Sequence, residues 1–162
     1  MSNPNVHHET PKVDWTIKTG DKLSAPEIYE ILRERNEVFT VEQSSLYQDA
    51  DDSDLLATTY HIQGLVEGQK EPVTYVRLVY SDKTVTISRL LVMKEFRNRK
   101  VGSLVLTKAL DTIKELQSVH PVENVILNAQ FYLRDWYARH GFKITGEPFE
   151  IGNVIHIDMI KE

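Results

Sequence analysis

Arg97, Arg99 and Lys100 put three cations within four residues, and Gly102 follows two positions later. The segment lies between an apolar run that ends at Val92 and an apolar pattern that resumes at Leu104. A strand feeding a helix through so short a turn leaves the first backbone N–H groups of the helix without partners and aims them at one point. The helix dipole and the cationic side chains add to that field, and Gly102 admits close approach to the backbone. A pyrophosphate fits this description; a solvated basic turn is the competing reading. Spacing excludes the glycine triplet of a dinucleotide fold and the Gly-Lys-Ser/Thr ending of a nucleotide-triphosphate loop.

Other residues offer complementary chemistry. Glu42, Asp49, Asp51, Asp52 and Asp54 fall within thirteen residues that hold no Lys or Arg. Such a loop is expected to attract a cation such as a protonated amine, unless it is simply a solvated loop. Arg77 and Arg89 each occupy a strand phase otherwise filled by apolar residues, so each needs a partner. They either brace the loop carboxylates or receive a carboxylate of a substrate. His156, within "VIHIDM", and Glu42 are candidate proton acceptors, as is His61 in "TYHIQG"; each imidazole taken singly also reads as a hydrogen-bonded structural group, and a base acting through water is open too.

The elements that must position these groups are legible in outline. "VDWTIK" alternates as a first strand. "SAPEIYEILRERNEVF" follows with Ser24 as N-cap, Glu27 completing a capping box, Pro26 in the first turn and an apolar face at Ile28, Ile31, Leu32, Val38 and Phe39. "TTYHIQGLVE", "PVTYVRLVYS" and "TVTISRLLV" read as an antiparallel meander, the last two joined by a tight hairpin at "DK". Leu104, Val105, Ala109, Leu110, Ile113 and Leu116 mark a second helix, then come a strand "NVILNA" and a third helix "QFYLRDWYARH" stopped by Gly141. "FKITGEPFE" and "NVIHIDMIK" close the chain as two strands. This order predicts an α/β fold, a mixed sheet with helices packed against it.

Composition limits the function classes. The 162 residues suit one domain, with residues 1–11 as a polar tail and the domain over 12–162. No run is long enough to cross a bilayer and no apolar stretch opens the chain, so a soluble, cytoplasmic protein without a membrane role is expected. The absence of cysteine removes disulfides and thiolate metal sites, and no metal is expected. A net charge of -5 disfavours a nucleic-acid module.

The turn resembles the acetyl-coenzyme A signature Q/R-x-x-G-x-G/A of the GNAT acetyltransferases, with Lys100 where the first glycine is usual. "SRLLV" resembles the fourth GNAT strand and "WYARHGF" its "FYxxxGF" segment. Together with "RNEVFTVEQSSLYQDADDSD", "RNRKVGS", "NAQFYLRDWYARHGF" and "IHIDM", these motifs over about residues 12–162 resemble the ElaA-like branch, in which lysine at that position also looks normal.

The resemblance implies antiparallel N-terminal strands, a splayed central sheet, and direct attack of an amine on the thioester of acetyl-coenzyme A, in a monomer or homodimer. It implies a cofactor site formed by Leu90, Leu91, Val92, Arg97, Asn98, Arg99, Lys100, Val101, Gly102 and Ser103, with Asn128, Gln130 and Tyr137. A backbone N–H at or near Val92 would stabilise the oxyanion, and Tyr137 would protonate the leaving thiolate. By periodicity alone, Tyr137 reads as part of an apolar helix face with Leu133, Trp136 and His140. Asp49, Asp51, Asp54, Arg77 and Arg89 are the expected substrate-side residues. A non-catalytic acyl-coenzyme A sensor is the alternative; it would keep the turn and tolerate loss of Tyr137.

Overall fold

The computed structural model describes residues 9–162. Most of the expected N-terminal tail, residues 1–8 of it, lies outside them. β1 (Val13–Thr19) leads to α1 (Ala25–Arg35). Ser24 Oγ accepts from the Glu27 N–H while the Glu27 carboxylate accepts from the Ser24 N–H, the reciprocal cap that the sequence signals. The helix expected to continue to Phe39 instead widens after Arg35 into a π-helical segment, Asn36–Glu42, which keeps Val38 and Phe39 buried.

β2 (Thr59–Val66), β3 (Thr74–Ser81) and β4 (Thr84–Val92) form the expected antiparallel meander, with Asp82 left-handed at φ 51° in the tight β3–β4 turn. α2 (Val101–Glu115) then crosses to β5 (Asn124–Gln130), which runs parallel to β4. α3 is shorter than its sequence pattern, Arg134–Arg139, because Phe131–Leu133 forms a 3-10 turn. Three strands follow where two are expected: β6 (Phe142–Ile144), β7 (Phe149–Ile151) and β8 (Val154–Lys161). The stretch around Gly146 and Pro148 breaks "FKITGEPFE", since proline has no N–H for a ladder.

All eight strands make one mixed sheet in the order β1-β2-β3-β4-β5-β8-β6, with β7 on β8. α2 and α3 pack on one face, where Val105, Leu106, Ala109 and Tyr137 meet Val76, Ile87, Leu127 and Ile157. α1 and the π segment cover the other face over β3 and β4, through Ile31, Val38 and Phe39 against Tyr75 and Leu91.

Two departures from regularity shape the middle of the sheet. β4 and β5 pair only from Thr84 and Asn124 to Ile87 and Leu127, then diverge. Before that gap, Tyr75 pairs with Leu91 and Arg77 with Ser88, so Val76 alone faces two residues of β4, Arg89 and Leu90. This bulge holds Arg89 at φ 57°.

The buried face of α1 carries a carboxyl group without a partner. Glu34 is 2% exposed and neither carboxyl oxygen has a hydrogen-bond partner. Burial, with the neighbouring Glu30 and Glu71 carboxylates, pushes its carboxyl up to about 8. The folded protein therefore binds this proton more tightly than the unfolded chain. Stability from it is complete below the ordinary glutamate range near 4.3 and is lost as pH rises through about 8. Glu34→Met, of similar volume, should raise the unfolding free energy read from urea denaturation by about 1–3 kcal/mol at pH 9 and by less at pH 5. A gain independent of pH would show that ionisation of Glu34 is not the cause.

Candidate functional site

The divergence of β4 and β5 opens a groove of about 530 Å³ that reaches the start of α2, and a cavity of about 300 Å³ on the side of β8. Gln43, Leu90, Tyr132, Leu133 and Tyr137 line both. The two spaces therefore share one wall, and Tyr137 stands in it.

Strand alternation explains what the groove offers. The Met93 N–H donates to the Val73 carbonyl at 2.8 Å, toward β3, so the N–H and C=O of Val92 point to the opposite, open edge. The Val92 carbonyl accepts from Arg97 Nε at 3.0 Å, which folds the basic turn back along the strand. Asn98 and Lys100 both adopt left-handed backbone at φ 61°, and α2 begins at once with no side-chain cap and no acidic residue in its first turn. Successive N–H groups in such a turn form a concave anion site. Lys100 thus occupies a left-handed position of the kind that favours glycine, at a cost of about 1 kcal/mol for a residue with a side chain.

Of the residues expected on the cofactor side, Leu90, Leu91, Val92, Arg97, Asn98, Lys100, Val101, Gly102, Ser103 and Tyr137 line this groove. Arg99 does not: its Nε donates to the Glu9 carbonyl at 2.9 Å and its guanidinium lies over Phe96. Asn128 and Gln130 line the cavity instead, Asn128 bonded to Asp158 and Gln130 Nε2 donating to Gln43 Oε1 at 2.9 Å. Ser103 Oγ lies 3.2 Å from His140 Nε2. A Cβ on Gly102 would meet the Trp136 ring at 3.5 Å, an ordinary contact, so alanine fits there and a larger side chain must project toward Trp136 or the groove.

The two candidate bases differ in their surroundings. Glu42 is paired with Arg97, whose Nη2 donates to Oε1 at 2.9 Å, and this hydrogen bond holds its carboxyl below the usual glutamate range. That makes it a weak base. His156 lines the cavity, and its Nδ1 lies 2.9 Å from the Val154 carbonyl. A carbonyl only accepts, so Nδ1 carries the hydrogen and the neutral ring keeps its lone pair on Nε2. His61, by contrast, is buried, with Nε2 donating to the Asp54 carbonyl at 2.8 Å and Nδ1 accepting from Tyr75 Oη at 2.7 Å.

The acidic loop is not a free anionic surface, which corrects the expectation that Asp49, Asp51 and Asp54 attract a cationic substrate. Asp49 pairs with Arg35 and Arg89, Asp51 with Arg77 and Arg89, and Asp54 with Arg35 and Arg77. Three arginines and three aspartates close a ring in which every member has two partners of opposite sign. The ring is neutral, and none of its aspartates lines the cavity. Arg77 is likewise a brace: its side chain is 4% exposed and lines neither space. Arg35 was not among the expected site residues, although it shares the helix phase of Ile31 and Val38 and so stood out by the same criterion as Arg77 and Arg89. Gln43 and Tyr47, polar loop residues without a pattern, and Tyr132, inside the segment that reads as the third helix, are not among the expected site residues either.

Among the described residues no group of His, Asp and Glu could hold a metal ion, and no helix is long and apolar enough to cross a membrane.

Residues 29–162 match the family model for the acetyltransferase (GNAT) domain. The chain is 34% identical over 153 residues to the Escherichia coli protein ElaA, covering 93% of this chain and 97% of that protein. The crystal structure of E. coli ElaA superposes with a TM-score of 0.82 at 34% identity, over 92% of this chain and 99% of that one. An acyl-CoA N-acyltransferase from Pseudomonas aeruginosa gives 0.82 at 30% identity, over 93% and 100%. A GNAT acetyltransferase from Elizabethkingia anophelis with acetyl-CoA bound shares the fold alone, with a TM-score of 0.60 at 13% identity over 93% of this chain and 97% of that one. A model covering most of the chain and an ElaA relative matched almost end to end agree, and the protein belongs to the GNAT acetyltransferase family, on its ElaA-like side.

Proposed function

We propose that the protein moves an acetyl group from acetyl-coenzyme A to a primary amine by direct attack within a ternary complex. The observation that carries this reading is the shared wall. A groove ending in an anion-binding turn and a separate small cavity meet at Tyr137, as a donor and an acceptor must meet at the reacting carbon. The cofactor pyrophosphate would lie against Arg97, Lys100 and the N–H groups of Val101, Gly102 and Ser103, displacing Glu42 from Arg97. The thioester would lie along the open edge of β4, with the Val92 N–H facing the carbonyl oxygen.

In the reaction the amine nitrogen forms a bond to the thioester carbon and the carbon–sulfur bond breaks. The proton lost by the amine passes to His156 Nε2, and the departing thiolate takes one from Tyr137 Oη. His156 is preferred to Glu42 because its lone pair is unclaimed and it lines the acceptor cavity. The family neighbours that act on or bind acyl-coenzyme A support the donor. The domain is proposed to span residues 12–162.

Calorimetric titration with acetyl-coenzyme A tests the donor site. Gly102→Ala should keep affinity within a few fold, while Gly102→Val should weaken it at least about tenfold in a folded protein, because its branched side chain reaches the phosphate path. Unchanged affinity in folded Gly102→Val would remove the pyrophosphate from this turn. Dephospho-coenzyme A should compete, a short oligonucleotide should not bind, and thiol release with an amine library tests transfer against the sensor alternative.

A further inference from the structure

Among the described residues, the cavity beside β8 is lined by no aspartate or glutamate, and the one permanently charged side chain lining it is Arg89. The charge ring explains how that guanidinium comes to be presented. Side-chain exposure is 0% for Arg35, 4% for Arg77 and 18% for Arg89, and Arg89 alone of the three reaches the cavity. Its donors are not used up. Nη2 donates to the Asp49 carbonyl at 3.0 Å and to Asp51 Oδ2 at 3.4 Å. Nε lies 2.9 Å from Asp49 Oδ1 but makes no aligned hydrogen bond, and among the described residues Nη1 has no partner. The guanidinium rests 5.2 Å above the Tyr47 ring, and its backbone is held left-handed at the bulge.

We propose that Arg89 receives a carboxylate, and that the acceptor is a primary amine of the amino-acid class with an uncharged body. This rests on the acetyl-transfer reading above. A carboxylate supplies the acceptor that Arg89 Nη1 lacks here, and such charged hydrogen bonds are the strong ones. Phe39, Leu127 and Ile151 supply apolar wall for the body, and Ser88, Asn128 and Gln130 supply neutral polar groups. A polycationic amine would meet the guanidinium and no opposing charge in the same space. Asp49 and Asp51 hold the Arg89 guanidinium in place before the acceptor arrives.

The test compares leucine, phenylalanine and glutamine with their C-terminal amides, in binding to coenzyme A-loaded protein and in thiol release from acetyl-coenzyme A. The amides carry the less basic amine, so more of it is unprotonated at neutral pH and intrinsic reactivity favours them. The proposal expects at least one acid to bind and react about 10- to 100-fold better than its amide. Arg89→Gln should erase that ratio by weakening the acid alone, Arg89→Lys should keep part of it, and Asp52→Asn, an exposed residue outside the ring, should leave it unchanged. If Arg89→Gln does not fold, the ratio in the parent protein still decides. Equal treatment of acids and amides, a preference for amides, or no binding of either overturns the assignment. Acids that bind selectively without releasing thiol would leave Arg89 its carboxylate and overturn the transferase reading instead.

Discussion

Tyr137→Phe should lower kcat about a hundredfold to ten-thousandfold while acetyl-coenzyme A affinity stays nearly constant. The side chain is 8% exposed and packs edge-on against Trp136 and Phe142, with ring centroids 4.9 and 6.0 Å away. Removing one oxygen keeps those contacts. Burial pushes the phenol well above its usual value, so it holds its proton at neutral pH and can only donate. The same dry surroundings raise the proton affinity of a thiolate formed there, which favours the transfer. A thioester whose thiol is more acidic needs that proton less, so it should recover much of the lost rate. Near-full turnover in Tyr137→Phe, with chemistry rate-limiting, would make Tyr137 a core residue and leave the thiolate to another donor.

Opening the charge ring should produce the largest loss of stability. Asp54 accepts from Arg35 Nη1 at 2.7 Å, from Arg77 Nη1 at 2.8 Å and from the Asp51 N–H at 3.0 Å. Burial opposes its ionisation, yet the hydrogen bond and charge of Arg35, aided by the Asp51 N–H and Arg77, hold its carboxyl down at about 2. Asp54→Asn leaves two buried guanidinium groups sharing one fewer negative charge, which should cost about 3–5 kcal/mol at pH 7. That is a large part of the roughly 5–15 kcal/mol that holds an ordinary domain together. The aspartate's contribution is complete above its unfolded value near 3.9 and is lost as pH falls through about 2, so the gap between parent and variant in urea unfolding should close toward that end. A loss under about 1 kcal/mol at pH 7 would mean that the ring is not a principal support of the fold.

Local signals were readable from the sequence and long-range ones were not. Ser24, Glu27 and Pro26 announce the start of α1, and Gly141 the end of α3, because capping is decided within a few residues. The π segment after Arg35 escaped notice because Val38 and Phe39 continue a helical apolar spacing whichever way the backbone winds. β7 was merged with β6 because a three-residue strand has too few alternations to stand apart. The basic turn was legible as a cluster of cations ahead of a helix, being contiguous, and Arg97 and Lys100 of it line the groove. Arg77 and Arg89 were legible as charges in need of partners, but the closure of six side chains from α1, the loop, β3 and β4 into a ring depends on register and on a bulge that no local pattern encodes. His156 could be named from its type, whereas the carbonyl that fixes its tautomer, only two residues away, becomes visible only with the turn formed.

Lys100 carries two handicaps at once: left-handed backbone, and a positive charge at the start of α2, where the dipole is already positive. A glycine would spare both. If the turn holds the pyrophosphate as proposed, the anion reverses the second, since the ammonium then faces it, and gives the first a use by engaging the turn's converging N–H groups. On that proposal the residue is a poor choice for the turn alone and a good one for the turn with its anion. A search of genomes for this family by counting glycines would pass over chains that keep the turn's handedness while replacing the residue that makes it easy.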